Sequence, residues 1–376
     1  MVNLEAVRAS NAQGELIRDF VGVYVGATGG IGEATLKEVF QRTVRPRAYI
    51  IGRSKDKADE IISKLSEINP SGQCFFIARD VSRLENVDTV CAELREKEPK
   101  INALFLTAGY MTLSGRTETD EGLDRKMCTN YYSRIRFTLN LMPCLTAAAE
   151  AGELSRVNTI LAAGSEGKVN VQDLDLKKNF GLHTALAHCT VMSDFMVEEL
   201  AKRYPGTTFM HSYPGTVKTG IANELTGPAR LAVKVMYSVM SPWILNVQES
   251  GERHFYQLTS QSFPPAEWRE NPSTKLRPGV PAQKEFGIMK GSDGTEGSGA
   301  YLLDWNSKST GDEKVLKRYR DENLGPVVWE HTMKMFAQAE ELRGKGKGKG
   351  KRSAEDDAEG SGKRTPGVDP LGWRPG

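Results

Sequence analysis

A glycine-rich segment at residues 25–32, VGATGGIG, constrains the fold of this chain more than any other feature. It follows an apolar run and precedes a helical stretch, so a tight strand-to-helix turn is expected, and such a turn needs residues without Cβ. The helix that it opens would present free N–H groups and the positive end of its dipole to a phosphate. Glycine-rich turns also occur in unrelated α/β proteins, but this one starts a series of strands and helices, which favours dinucleotide binding.

Short apolar runs alternate with amphipathic helical stretches between residues 20 and 219. The runs cover residues 20–25, 47–51, 73–78, 102–107, 156–161 and 207–212, and a further candidate strand covers 299–303. Most of them are continuously apolar, as expected for parallel strands that are buried on both faces. The alternation builds a sheet with right-handed crossovers. We therefore predict an α/β protein with a Rossmann-type, doubly wound parallel sheet and helices on both faces.

Composition divides the chain into four predicted segments. They are an N-terminal extension at 1–18, a nucleotide-binding domain at 19–310 with substrate-region helices at about 221–290, a helical extension at 311–343 and a tail at 344–376. The tail consists of Gly-Lys repeats and a mixed-charge run that cannot form a core, so we expect it to be disordered. Contact with an anionic surface, or nuclear targeting, is the alternative interpretation of its basic residues.

Charge, hydropathy and cysteines narrow the functional classes. A net charge of +2 gives no reason to expect a nucleic-acid partner. The most hydrophobic late stretch, 231–247, is broken by polar residues and is shorter than the about 20 apolar residues of a membrane span. The N-terminus lacks the apolar segment of a signal peptide. Five scattered cysteines suggest reduced thiols, so we expect a cytoplasmic protein. Because these cysteines include no Cys-x-x-Cys pair, we expect no metal site.

The spacing Gly26-x-x-x-Gly30-x-Gly32 differs from the Gly-x-Gly-x-x-Gly fingerprint. It is followed in order by Asp80-Val81, by Leu106-Thr107-Ala108-Gly109, by Asn130 and by Pro-Gly-x-Val-x-Thr at residues 214–219. In this combination, residues 20–260 resemble the short-chain dehydrogenase/reductase family. Residues 130–137 and 211–215 resemble, more narrowly, divergent fungal members associated with secondary-metabolite pathways.

The resemblance implies cofactor contacts along the whole cleft of the fold. The implied cofactor residues are Gly26, Thr28, Gly30, Ile31, Gly32, Asp80, Val81, Ala108, Gly109, Pro214, Gly215, Val217 and Thr219. It also implies a structural and catalytic role for Asn130. The family commonly pairs subunits through the two helices predicted here at 121–150 and 182–204, so a homo-oligomer is expected from the resemblance.

The end of the second predicted strand indicates which cofactor is bound. NAD-specific folds place an acidic residue there to hold the ribose diol. This chain instead has Arg53, with no acidic residue before Asp56. A guanidinium suits a 2′-phosphate through its charge and its forked donors, so we predict that NADP(H) is preferred. A surface arginine without this role is the alternative.

The catalytic pattern of the family is broken. Its proton relay uses a Tyr-x-x-x-Lys pair, in which the lysine lowers the pKa of the tyrosine. No tyrosine of this chain has a lysine four residues later, and Leu186 and Thr190 stand where the pair would align.

Other residues become candidates for the chemistry. Ser165 follows the fifth predicted strand and is a candidate for the serine of the family, with a turn serine as the alternative. In strict register, Ala162 or Ala163 would take that place. Tyr132 has Arg136 one helical turn later, and an arginine can stabilise a phenolate. His188 lies on the helix that should carry the tyrosine and is a candidate proton donor. Packing roles are the alternatives for Tyr132 and His188.

These observations support an NADP(H)-dependent oxidoreductase that acts on a ketone, alcohol or alkene of a hydrophobic small molecule. The missing relay leaves two alternatives open. One is a cofactor-binding scaffold with non-redox cyclase or isomerase activity. The other is a dinucleotide-binding regulator.

Overall fold

A computed structural model describes residues 2–110, 114–217, 244–270, 279–282 and 287–360, with side chains to residue 345. Its centre is a seven-stranded sheet in which every pair of neighbouring strands is parallel. The strands are β1 (Val21–Val25), β2 (Arg47–Gly52), β3 (Gln73–Ala78), β4 (Ala103–Leu106), β5 (Arg156–Ile160), β6 (Thr208–Ser212) and β7 (Ala300–Leu303). Their spatial order is β3-β2-β1-β4-β5-β6-β7. The predicted doubly wound α/β fold is confirmed, and each predicted apolar run contains a strand.

Helices connect the strands. They are α1 (Leu4–Asn11), α2 (Gly30–Arg42), α3 (Lys55–Ile68), α4 (Leu84–Lys97), α5 (Arg125–Met127), α6 (Ser133–Glu150), α7 (Leu182–Arg203), α8 (Val247–Thr259), α9 (Glu267–Glu270), α10 (Glu313–Asp321) and α11 (Leu324–Gly360). A π-helical turn, Cys128–Tyr132, joins α5 to α6. No helix in the described ranges is long and apolar enough to cross a bilayer.

Both faces of the sheet are covered, which explains why the strands are apolar throughout. Successive strand side chains point to opposite faces. In β1, Val23 and Val25 join the core under α4, α6 and α7, whereas Tyr24 joins the core under α2, α3 and α8. The alternation repeats in β4, where Leu104 and Phe105 face opposite cores. Two separate hydrophobic layers therefore stabilise the sheet, and its strand ends are left for binding.

The two terminal extensions pack on this domain. Helix α1 lies against α8, where the Asn11 amide donates to the Glu252 carbonyl at 2.8 Å. Helix α11 lies against α7 and buries Val328 and Phe336 in the larger core. It continues to Gly360, past residue 343, where the composition predicted that helical structure would end. Residues 361–376 of the predicted tail lie outside the described residues, as do residues 218–220 and half of the predicted substrate region (221–243, 271–278 and 283–286).

Candidate active site

The glycine turn has the geometry that phosphate binding requires. Gly26 has a φ of +96°, and a Cβ there would lie 2.4 Å from the amide nitrogen of Ala108. A Cβ on Gly32 would lie 2.7 Å from Cα of Ala27. Helix α2 begins directly after Gly29 without a side-chain cap. Its first N–H groups and its positive dipole end therefore face the space above the turn.

A cleft of about 950 Å³ opens above this turn, at the carboxyl ends of the strands. The sheet order reverses between β1 and β4, and ligands of open α/β sheets bind at such a switch point. The predicted cofactor residues that line the cleft are Gly26, Thr28, Gly30, Ile31, Gly32, Arg53, Asp80, Val81, Ala108, Gly109, Pro214, Gly215 and Val217. Thr219 lies outside the described residues. The structure thus brings together segments that are almost 200 residues apart.

The cleft is strongly cationic. Its described lining contains six lysine or arginine side chains and one carboxylate, that of Asp80. Asp80 pairs with Arg125 at 3.1 Å and accepts the N–H of Ser82 at 3.0 Å. Burial raises the pKa of Asp80, but the hydrogen bonds from Ser82 and the charge of Arg125 outweigh it and lower that pKa overall. Arg53, Lys57 and Arg79 line the same end, so this end suits a multiply charged anion.

Asn130 lies on the π-helical turn and lines the other end of the cleft. Its Oδ1 accepts the N–H of Tyr110 at 3.3 Å, and its Nδ2 donates to the Tyr110 carbonyl at 3.4 Å. The amide therefore fixes the segment that follows Gly109 at the end of β4. This is a positioning contact, and the structural and catalytic role that the resemblance implies for Asn130 stays a prediction.

Arg134 was not singled out by the sequence analysis, but it lines the cleft and is only 3% exposed. Its guanidinium donates to the carbonyls of Ala108 and Ile160, both at 2.8 Å, and to Oγ1 of Thr159 at 2.7 Å. It thus connects the ends of β4 and β5. Burial lowers its pKa to about 10, so it remains a cation at neutral pH. The signal in the sequence is an arginine one helical turn after Asn130, at the start of a mostly apolar helix.

Lys126 was also missed. It lines the cleft at 2% exposure, and its Nζ donates to the carbonyls of Ser114 and Gly115, both at 2.8 Å. The ammonium lies 5.0 Å from the ring centroid of Phe180, within the range of a cation–π contact. Burial lowers the pKa of Lys126. From the sequence alone, a lysine within the first turn of α5 is expected to lie on the surface.

The structure places Tyr132 away from the cleft, which corrects its assignment as a candidate catalyst. Its fully buried hydroxyl is hydrogen-bonded to Nε2 of His331, on α11, at 2.8 Å. Arg136 is paired with Asp88 and Glu340 instead of facing the Tyr132 phenol. Tyr132 ends the π-helical turn that also holds Asn130, and its side chain faces α11 instead of the cleft. Burial raises the pKa of Tyr132, which further disfavours a phenolate.

His188 and Ser165 do not line the described part of the cleft either. Nε2 of the buried His188 accepts the N–H of Asn170 at 3.1 Å, and its Nδ1 lies 3.3 Å from the Leu174 carbonyl. It therefore positions the segment between β5 and α7, and burial lowers its pKa. Ser165 is exposed in a turn closed by its own N–H to the Ala162 carbonyl. Both residues have the structural roles that were the alternatives.

Helix α7 presents apolar groups where the family has its phenol. Leu186, aligned with the missing tyrosine, lines the cleft together with Ala185 and Cys189. Thr190, aligned with the missing lysine, is buried, and its Oγ1 has no hydrogen-bond partner among the described residues. Burial raises the pKa of the Cys189 thiol to about 12, so that thiol is inert at neutral pH. No group of three potential metal ligands occurs in the part of the chain that the structure describes.

The fold and the cleft together define a nicotinamide-dinucleotide-dependent enzyme of the doubly wound α/β class. Residues 21–171 match the family model described as short chain dehydrogenase. An oxidoreductase of Emericella nidulans is 38% identical over 341 residues, which cover 90% of this chain and 99% of that protein. An oxidoreductase of Emericella variicolor is 31% identical over 340 residues, 89% of this chain and 97% of that protein. The chain belongs to the short-chain dehydrogenase/reductase family.

Solved structures share the fold. The structure of an NADPH-bound carbonyl reductase from chicken fatty liver aligns with a TM-score of 0.50 at 16% identity, over 79% of this chain and 100% of that chain. The family assignment and the fold agree with the predicted oxidoreductase class.

Proposed function

We propose that this protein is an NADP(H)-dependent oxidoreductase that acts on a ketone, alcohol or alkene of a hydrophobic small molecule. The observation that carries the proposal is the cationic cleft at the β1/β4 switch point, which begins at an uncapped helix N-terminus. The narrower resemblance of residues 130–137 and 211–215 to divergent fungal members of the family supports a place in secondary-metabolite biosynthesis.

The residues of the cleft fit NADP(H). The N–H groups at the start of α2 would hold the pyrophosphate. Arg53, with Lys57 and Arg79 beside it, would hold the 2′-phosphate, and Asp80 would lie near the adenine. Pro214, Gly215 and Val217 would close over the nicotinamide end.

The other half of the cleft would accept the substrate. Leu161, Leu182 and Leu186 line it, and Leu182 and Leu186 are more than 40% exposed, so they are available for an apolar ligand. When bound, the cofactor supplies or accepts a hydride. The protein excludes water with these leucines, and Asn130 and Arg134 hold the strand ends in place.

A cofactor and turnover assay tests the proposal. Purified protein is titrated with NADPH, whose binding is followed by intrinsic tryptophan fluorescence because Trp305 lies beside Gly215, and is then incubated with a panel of apolar ketones and enones. We expect saturable binding and NADPH oxidation with at least one substrate. Thr28→Asp places a carboxylate where the phosphates would bind and should weaken NADPH binding at least about tenfold. Lys64→Asp, which adds a carboxylate at an exposed position outside the described lining, should bind NADPH as the wild type does. Failure of the wild type to bind NADPH would overturn the proposal.

One observation favours a second function, a cofactor-binding scaffold with non-redox cyclase or isomerase activity. Leu186 lines the cleft at the position where the family has the tyrosine of its proton relay. NADPH binding without oxidation, together with conversion of an enone to an isomer, would support this second function.

A further inference from the structure

The substrate half of the cleft contains two buried cations, Lys126 and Arg134. The two carbonyls bonded to Lys126 use two of the three N–H donors of its ammonium. The four hydrogen bonds of Arg134 use four of its five donors. Both side chains still line the cleft, so both leave a donor to offer to a ligand.

Neither cation has a carboxylate partner among the described residues. Asp124, two residues before Lys126, accepts the backbone N–H groups of Lys126, Met127 and Thr117 at 2.8–3.0 Å, so it caps the helix. Its charge acts on Lys126, but it makes no hydrogen bond to the ammonium among the described residues. Asp80, the single carboxylate of the described lining, is bonded to Arg125. Burying a cation without a hydrogen-bonded carboxylate is costly, and carbonyl dipoles compensate only part of that cost. This end of the cleft therefore favours an anionic ligand group.

The cofactor phosphates do not supply that group. The glycine turn follows β1, and Arg53 follows β2, so the proposed phosphate contacts lie over the β1–β2–β3 half of the sheet. Lys126 instead contacts the segment after β4, at Ser114 and Gly115, and the segment before α7, at Phe180. The neighbours of Lys126 therefore belong to the β4–β5 half of the cleft, which is made apolar by Leu161, Leu182 and Leu186.

We propose that the substrate carries an anionic oxygen, a carboxylate or an enolate, on an apolar skeleton, and that Lys126 binds this oxygen. The inference rests on the proposed function for the division of the cleft into a cofactor half and a substrate half. Arg134 adds positive charge at the ends of β4 and β5, but its guanidinium is held in place by the carbonyls of Ala108 and Ile160. Lys126 is thus a specificity-determining residue, and Phe180 presents an apolar surface beside the charged group.

Two matched pairs of probes test the inference by calorimetry on NADP⁺-saturated protein. Naphthoate and neutral naphthamide test a carboxylate, and dimedone and its neutral O-methyl enol ether test an enolate. We expect at least one anion to bind about tenfold or more tightly than its neutral match, and the pair that shows the preference identifies the anion. Equal affinities within both pairs would overturn the inference.

Variants connect the preference to Lys126. Lys126→Met should remove the preference while the affinity for the neutral probe changes less than about twofold. Lys126→Arg retains the charge and should retain the preference, and so should Lys168→Met, at an exposed position outside the described lining. If Lys126→Met does not fold, Lys126→Gln, which keeps a donor without the charge, should lose the preference in its place. A preference that survives removal of the charge would refute the role of Lys126.

The cofactor titration separates this inference from the proposed function. A wild-type protein that does not bind NADPH contradicts the proposed function. A protein that binds NADPH but shows no preference for anions contradicts only the inference about Lys126.

Discussion

At the scale of single residues, we expect the choice between NADPH and NADH to depend on Arg53. It lines the cleft at the end of β2, near Lys57 and Arg79, and its charge contributes to the lowered pKa of Asp80. Arg53→Ala should weaken NADPH binding at least about tenfold and change NADH binding less than about twofold, because only NADPH carries the 2′-phosphate. Fluorescence titration with both cofactors measures this. Lys64→Ala, at an exposed position on α3, is the matched control. Equal losses for the two cofactors would contradict the assignment.

Single residues also show which parts of the site can be predicted from the sequence. Gly26, Gly30 and Gly32 were predicted because a tight turn is a local structure with a local requirement for glycine. Lys126 and Arg134 were not predicted because what distinguishes them is that they are buried in the cleft. Their burial depends on segments that lie far away in the chain. Whether a charged side chain lies on the surface or inside a cleft is a property of the tertiary fold.

At the scale of elements, the strand–helix series was predicted almost completely, because the apolar runs are continuous and the helical stretches amphipathic. The helix after β4 is the exception. It was predicted from residue 121, but α5 begins at Arg125 and passes through the π-helical turn Cys128–Tyr132 before α6. An extra residue in a turn changes the direction of the following side chains, and hydrophobic periodicity does not reveal it. The pair Tyr132 and Arg136 therefore looked like part of the cleft, although Tyr132 faces α11 and Arg136 faces α4 and α11.

The orientation of the π-helical turn leads to a prediction for Tyr132. Tyr132→Phe should leave the affinity for NADPH unchanged within about twofold, because the hydroxyl lies on the side of the helix away from the cleft. It should lower the free energy of unfolding by about 1 kcal/mol, because the buried hydrogen bond to His331 is lost. Urea denaturation and NADPH titration measure the two quantities. Weaker NADPH binding at unchanged stability would mean that the hydroxyl acts in the cleft.

At the scale of the whole molecule, the C-terminal helix α11 is part of the folded domain. It contacts α6 through Glu340 and Arg136, and α7 through Trp329, whose ring lies 3.8 Å from the Arg203 guanidinium. The predicted homo-oligomer was expected to pair through these same two helices. Because α11 covers part of both, an oligomer that uses them would have to include α11 in its interface. The oligomeric state itself stays a prediction.

The docking of α11 is testable by a change in its buried face. Phe336 is buried in the larger core and lies 5.2 Å from the Arg136 guanidinium. Phe336→Ala should lower the free energy of unfolding by about 3 kcal/mol or more, because the ring is removed from a packed core. Lys334→Ala, two residues earlier on the exposed face of the same helix, should change it by less than about 0.5 kcal/mol. Urea denaturation of the full chain compares the two variants at equal helix length. Equal stabilities would mean that α11 is not packed on the domain in solution, whereas a loss confined to Phe336→Ala would show that residues beyond the sheet stabilise the fold that forms the cleft.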